Sequence, residues 1–431
     1  MRSSERQRRP REPHAPTPAP AATTAIDRVL ELQRSAGNAA VARHLRTVAR
    51  EGWPEAPKDG WNKKAQPVAG TLRIPLTGLA QGYQEADIGK ATPTKEKAGE
   101  SKSGRAIVVV PDGTDFTHGK LEVLLVFHGL GESAGIGYRQ RITDDEMGPK
   151  GSVHDVEADV IPQQLAASGR NMITILAQGK STGSGRFGIS DTAAYVKDVL
   201  AKLKAELATL QPDVAVPDNL TPYRIVSAGH SGGGPQAVDS AVALQGGDWH
   251  RAAPLFLFDG INGPNELRTL KQTLQGWLET DRDHLTKASD PAAELAKRGL
   301  KFRSTYTAGV YFANHEGGEY DLSGGKHVKI SPAESLNAFL DAWFGANATG
   351  PLAGVAKTWK AQYVTEKVAG NHHYQIGARG PSKKRDAAGV PAYDKGSGNL
   401  EKSLKGLPGD APRPEKHAEL EPEDDPSKVF A

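Results

Sequence analysis

The chain of 431 residues contains no cysteine. Disulfides, thiolate catalysis, cysteine-ligated zinc ribbons and iron–sulfur clusters are excluded on that ground alone. No stretch approaches 18 consecutive apolar residues, so no segment reads as a membrane-spanning helix, and stable membrane insertion is not expected. Neither sign of charge is in excess: 54 Lys and Arg meet 51 Asp and Glu, a net charge of +3. That balance argues against a whole-chain polyanion binder, and no nucleic-acid partner is expected. An apolar segment after the basic start is missing too. Arg2, Arg6, Arg8, Arg9 and Arg11 lead into His-Ala-Pro-Thr-Pro-Ala-Pro at residues 14–20, where a secretory signal would need an apolar run. Export through a Sec signal is therefore not expected. Hydrophobic residues reach 37%, enough for a sizeable core, and α/β folds run to 200–250 residues as one unit.

Composition divides the chain. Residues 1–23 are rich in Arg and Pro with almost no large apolar side chain, and read as a disordered tail. In 24–50, Ile26, Val29, Leu30, Val41 and Leu45 recur at helical spacings. Gly37-Asn38 ends one short helix and opens another, and each is too short to be stable alone. Residues 51–66 read as a linker, 67–378 as a folded domain, and 379–431 as a second disordered tail. Within the domain, strands are expected at 68–76, 106–111, 121–127, 171–177, 223–228, 254–258, 305–313 and 358–368. Helices are expected at 191–210, 233–244, 265–279 and 333–344. Apolar runs alternating with amphipathic helices imply a mainly parallel central sheet with helices on both faces. The strand-first start implies some antiparallel strands at one edge. Residues 260–305 insert helical segments between two strands and suggest a cap over a pocket.

The chemistry concentrates at Gly229-His230-Ser231-Gly232-Gly233-Gly234, which follows the strand at 223–228 and opens a helix. A serine on a sharp strand-to-helix turn projects its hydroxyl beyond the sheet. Its strained backbone needs small neighbours, which Gly229, Gly232 and Gly233 supply. The N-terminus of the following helix favours developing negative charge. The strand–turn–helix setting, more than the five-residue pattern, marks Ser231 as a nucleophile candidate. An earlier strand, 121–127, ends in His128-Gly129-Leu130-Gly131, a glycine-rich βα turn.

On these motifs, residues 67–378 resemble the α/β-hydrolase superfamily, in particular its serine esterases and lipases. The resemblance implies an α/β-hydrolase fold and acyl transfer through Ser231. It implies an oxyanion hole from the backbone N–H groups of Gly232 and of Leu130 or Gly131. The chain order in that superfamily is serine, acid, histidine. His372 and His373, in Gly370-Asn-His-His-Tyr-Gln-Ile376 after the last strand, stand where the base belongs. His373 is preferred because Ile376 follows it on the same loop, and His372 stays as the alternative. For the acid, Asp259 ends the strand after the nucleophile helix, in Phe-Leu-Phe-Asp-Gly. Glu316, one strand later, is its rival. Asp259 is preferred because Asp-Gly after an apolar run makes a tight turn that aims the carboxylate upward.

Other patterns carry less. Gly179-Lys180-Ser181-Thr182 suggests a phosphate-binding loop, but position 174, where that motif needs its first glycine, is Thr. Gly129-Leu-Gly131 is too short for a dinucleotide fingerprint. His315, Glu316, Glu319, Asp321 and His327 meet no standard metal-ligand spacing and read as a polar loop. No metal, nucleotide or other cofactor is needed by the chemistry assigned.

Residues 32–45, Leu-Gln-Arg-Ser-Ala-Gly-Asn-Ala-Ala-Val-Ala-Arg-His-Leu, resemble an N-terminal segment of bacterial proteins associated with extracellular contractile injection systems. Those are phage-tail-like particles that carry protein cargo. The zinc-peptidase-like region that usually follows has no counterpart, since no His-Glu-x-x-His occurs. The resemblance implies that residues 1–50 load or dock the chain on a particle and that the hydrolase is an effector or toxin payload. The sequence therefore leads to a serine hydrolase cleaving an ester or related acyl bond, on a small-molecule or lipid ester. The competing reading is a non-catalytic or delivery-type effector with a degenerate hydrolase fold.

Overall fold

The computed structural model describes residues 66–68, 71–82, 104–117, 120–129, 132–133, 154–155, 161–179, 187–246, 248–261, 264–307, 319–321, 327–329, 332–368, 398–409 and 413. All belong to the unit Pro54–Ala431. The helix pair at 24–50 therefore lies outside the described residues.

The described strands of the main sheet are β1 (Gln66–Val68), β2 (Thr71–Leu79), β3 (Gly104–Pro111), β4 (Glu122–Phe127), β5 (Met172–Ala177), β6 (Arg224–His230), β7 (Leu255–Phe258), β8 (Phe302–Thr307) and β9 (Tyr363–Val368). Their spatial order is β1-β2-β3-β5-β4-β6-β7-β8-β9. The first four in that order pair antiparallel, and β5 through β9 run parallel. This is the mainly parallel sheet with an antiparallel edge that the patterning predicts.

Side-chain alternation explains why the central strands are largely apolar on both faces. Every residue of β3, β4 and β5 is buried. Val108, Val123, Leu125, Phe127, Ile173, Ile175, Leu255 and Leu257 join the core on one face. Their neighbours Ile107, Val109, Leu124, Val126, Met172, Leu176, Phe256 and Phe258 join the core on the other. A period of two thus feeds two separate cores, and each needs its own helical cover.

The first face is covered by α2 (Thr192–Leu210), α3 (Gly234–Ala243), α4 (Pro264–Lys287), α5 (Pro291–Arg298) and α6 (Pro332–Asn347). Asp191 caps α2 by accepting from the Ala194 N–H at 2.9 Å. The stripe Tyr195, Val196, Val199, Leu200, Leu203 and Leu207 is buried, as its 3.6-residue spacing predicts. α4 and α5 hold the place read as a cap, and here the structure corrects that reading. Leu267, Leu270, Leu274, Leu278, Leu285 and Leu295 belong to the first-face core, so these helices form the crossover from β7 to β8.

The second face carries another correction. It is covered by α1 (Ile161–Ala167) and by α8 (Asn399–Lys405), which lies inside the stretch read as a disordered tail. Leu400, Leu404 and Leu407 are buried against Ile161, Leu165 and β3–β7 side chains. The segment is tied down as well as packed. Gln164 Oε1 accepts from the Glu401 N–H at 3.0 Å, Gly406 O from the Leu300 N–H at 2.8 Å, and Pro408 O from Arg170 at 2.9 Å. The Gly, Lys and Glu around these leucines hide an i, i+4, i+7 pattern only two turns long.

Two smaller shifts have physical causes. The last strand begins at Tyr363, and 356–360 form a short helix, α7, that buries Trp359 against Trp343 and Phe344. The strand expected at 305–313 is β8, ending at Thr307, and 308–313 lie outside the described residues. In the stretch read as a polar metal-like loop, Glu319–Asp321 pairs antiparallel with His327–Lys329. Together the strand order, its antiparallel edge and the two helical layers make the α/β-hydrolase fold.

Candidate active site

The order of the sheet reverses around β4: the chain runs from β4 to β5 on one side, then crosses to β6 on the other. The crevice beyond the carboxyl ends of strands at such a switch is where open α/β sheets bind ligands. His128, Gln178, Ser231 and Asp259 follow the ends of β4, β5, β6 and β7 there.

Ser231 follows β6 directly and holds φ at +47°. A 3₁₀ turn, Ser231–Gly233, then feeds α3, with the Gly234 N–H donating to Ser231 O. The turn is possible because three glycines let backbone meet backbone. A Cβ on Gly229 would lie 2.7 Å from Gly233 O, one on Gly233 2.3 Å from Phe127 O, and one on Gly234 1.9 Å from Gly260 O. The strand-to-helix pattern points to 229, 232 and 233 as the glycines that make room; the structure gives the close approaches to 229, 233 and 234, and Gly232 is half-buried. Gly234 has no local signal, since its partner, Gly260, lies in the turn after β7.

Asp259 follows β7 and holds φ at +45°. Ser231 and Asp259 are the two non-glycine residues with positive φ among those described. They are also register neighbours. His230 pairs with Phe258 in the parallel β6–β7 ladder, so the next residue on each strand is the serine and the aspartate. Adjacent strands lie about 4.8 Å apart. Both residues are buried, and the Asp259 N–H donates to Thr305 O at 2.9 Å, which anchors the turn on β8.

His128 stands at the end of β4 beside this pair. Its Nε2 accepts from the Gly179 N–H at 2.9 Å, so the proton sits on Nδ1, which donates to Gly129 O at 2.9 Å. Gln178 Nε2 donates to Gly179 O at 2.6 Å. The Phe187 ring meets both Phe127 and His128 edge-on at 4.9 Å. A Cβ on Gly179 would fall 2.7 Å from that ring. The turns after β4 and β5 are thus locked together by a buried neutral histidine. The sequence places His128 in the turn but carries no local sign of this bond, because Gly179 is 51 residues away.

Leu130, Glu316, His372 and His373, and with them Gly131, lie outside the described residues. The structure brings together Ser231, Gly232 and Asp259 of the candidates.

No known protein family matches the chain, and no curated protein matches it. Solved structures do. A ferulic acid esterase is 12% identical with a TM-score of 0.30, covering 71% of this chain and 94% of its own. The S-formylglutathione hydrolase of Agrobacterium tumefaciens is 11% identical with a TM-score of 0.29, covering 73% and 93%. A feruloyl esterase module from Clostridium thermocellum is 10% identical with a TM-score of 0.31, covering 74% and 88%.

Proposed function

We propose that this chain is a serine hydrolase that cleaves an ester or a related acyl bond. The observation that carries the reading is the strained Ser231 at the carboxyl end of β6, with Asp259 one register step away. A serine held at positive φ at the mouth of a sheet costs stability, and such strain is kept where it positions a reacting atom. In the proposed reaction the imidazole of His373, with His372 as its rival, takes the Ser231 proton as Oγ attacks the substrate carbonyl. Asp259 accepts from the other ring nitrogen and stabilises the imidazolium. The N–H groups of Gly232 and Leu130 receive the oxyanion. Collapse of the tetrahedral species expels the alcohol, which takes the proton from the imidazolium. Water, deprotonated by the same imidazole, then releases the acid and restores Ser231 Oγ–H. No cofactor takes part.

The substrate on this reading is a small-molecule or lipid ester. A role as an effector carried by an injection particle rests on residues 32–45 alone. Particle association with and without residues 1–50 tests it, and unchanged association of the truncated chain would remove that role.

For the chemistry, a fluorophosphonate probe is the direct test. Wild-type protein should label. Ser231→Ala should not, and His373→Ala and Asp259→Asn should label at least about 10³-fold more slowly. Retained fast labelling in Asp259→Asn with loss in Glu316→Gln would move the acid to Glu316. A folded wild-type chain that does not label would favour the non-catalytic effector with a degenerate fold.

A further inference from the structure

A second constellation of ligating side chains lies at the opposite edge of the sheet. His250 sits on the 3₁₀ turn Trp249–Arg251 just before β7, His284 in the last turn of α4, and Glu294 on α5. The two Nε2 atoms converge on one carboxylate oxygen: His250 Nε2 is 2.7 Å and His284 Nε2 3.0 Å from Glu294 Oε2. One ligand atom from each residue falls within 4.8 Å of the others. Ligands 2.0–2.1 Å from a tetrahedral ion stand about 3.3 Å apart, so small side-chain rotations would open this triangle around a metal.

The surroundings are those of a built site. His250 faces a carboxylate oxygen with each ring nitrogen. Its Nδ1 lies 3.2 Å from Asp248 Oδ1, and Nε2 faces Glu294. With a cation on Nε2, Nδ1–H would donate to Asp248 and Nε2 would give its lone pair to the metal. Carboxylate, histidine and metal in line is the usual second-sphere arrangement. His284 is fixed differently, stacked on the Trp249 ring at 4.0 Å and 15°. Trp249 is itself held by its indole N–H on buried Asp281 at 3.0 Å. Arg251 on Asp248 and Lys297 on Glu294 Oε1 leave Oε2 as the converging oxygen. An open groove of about 570 Å³, lined in part by His284, Glu294, Asp290 and Lys297, gives the ion an entry and room for a water as fourth ligand.

We infer that His250, His284 and Glu294 bind one divalent transition-metal ion, with zinc the best match to two imidazoles and a carboxylate. The ion clasps the turn before β7 to α4 and α5. It is not part of the hydrolytic site, because β6, whose first residue Arg224 contacts His250 O, carries Ser231 beyond its far end. Seven strand residues separate the two by about 20 Å.

The test uses the untagged full-length chain, stripped with a chelator and dialysed against zinc, with stoichiometry by elemental analysis and affinity by titration calorimetry. The expected result is one zinc per chain and a zinc-dependent rise in Tm. Cobalt(II) should give the visible spectrum of a four-coordinate nitrogen and oxygen site. His284→Ala and the near-isosteric Glu294→Gln should each weaken zinc at least 100-fold, and Asp248→Asn 10–100-fold. Fluorophosphonate labelling should stay unchanged in all three. Circular dichroism shows whether each variant folds, and Glu294→Gln decides the matter if His284→Ala does not. Absence of stoichiometric zinc, or zinc binding equally tight in folded Glu294→Gln, would overturn the proposal. The cluster would then be a histidine–carboxylate network alone.

Discussion

Ser231 and Asp259 each occupy a backbone region that an L-residue enters at a cost of about 1–3 kcal/mol. For Asp the cost is at the lower end, since Asp and Asn tolerate the left-handed region. Ser231 has no such excuse. Replacing it reverses an ordinary rule, because glycine in a structured segment is normally less stable than alanine by about 0.5–1 kcal/mol. At 231, Ser231→Gly should be more stable than Ser231→Ala, by about 1 kcal/mol, while both are inactive. Denaturant unfolding of the two checks this, and the ordinary order would mean that the turn holds no strain. The sequence made the serine visible through its glycine neighbours and strand context. It showed the aspartate only as one of two acids. Positive φ at Asp259 and its register beside Ser231 are properties of strand pairing between residues 28 positions apart, which no local pattern carries.

At the scale of elements, the turn at Ser231 depends on α3 lying against the ends of β4 and β7. Gly234 has helical φ, −55°, so a side chain there is barred by contact rather than by conformation. Gly234→Ala, with its Cβ 1.9 Å from Gly260 O, should cost about 1–3 kcal/mol and slow labelling as the turn shifts. Gly276, exposed on α4 with nothing within 4 Å of a Cβ, gives the contrast. Gly276→Ala should stabilise by about 0.5–1 kcal/mol and leave labelling unchanged. Thermal melts of the pair separate contact from propensity.

α8 poses the same question for a whole helix. Leu404 is fully buried in the second-face core, so Leu404→Ala should destabilise by about 2–5 kcal/mol, measured by urea unfolding. An effect below about 0.5 kcal/mol would show that the helix is dispensable cover. Elements with long amphipathic stripes, such as α2, were legible in the sequence because about five turns of periodicity outweigh local noise. α8 was not, because three leucines among Gly, Lys and Glu look like a tail until the uncovered face of the sheet is known. α4 was legible as a helix over 265–279 but not as core, since both a cap and a crossover show the same stripe.

For the molecule as a whole, the two edges of the sheet do different work. The carboxyl edge gathers strained turns, and the amino edge gathers buried polar groups that hold the layers together. Asp281, on α4 and buried, accepts from Trp249 and Trp359 at 3.0 Å, from Tyr363 at 2.6 Å, and from Arg298. Lys301, at the start of β8, donates to Gln245 Oε1 and to Ala253 O, and sits 4.5 Å over the Trp277 ring. Burial pushes its ammonium well below the usual lysine range; Arg298 and Arg224 add to this and Asp281 opposes it. A lowered lysine means that the unfolded chain binds more protons between the folded value and about 10.4, so stability rises with pH across that window. Lys301→Met should flatten this slope between pH 7 and 9.5. Tm measured across that range in both proteins decides, and parallel slopes would mean that Lys301 keeps its proton in the fold. The mainly parallel sheet was legible from apolar runs alternating with helices, and its antiparallel edge from the strand-first start, but the order of the strands was not. The amino-edge networks were not, because their members are scattered from 245 to 363.

The central claim is that Ser231 is the nucleophile of an acyl-transfer site. Its most direct test is peptide mass spectrometry of the wild-type chain after fluorophosphonate treatment. The account predicts one modified peptide, with the phosphonyl group on Ser231. A phosphonyl group on another residue, or none on a chain that is folded by circular dichroism, would contradict it.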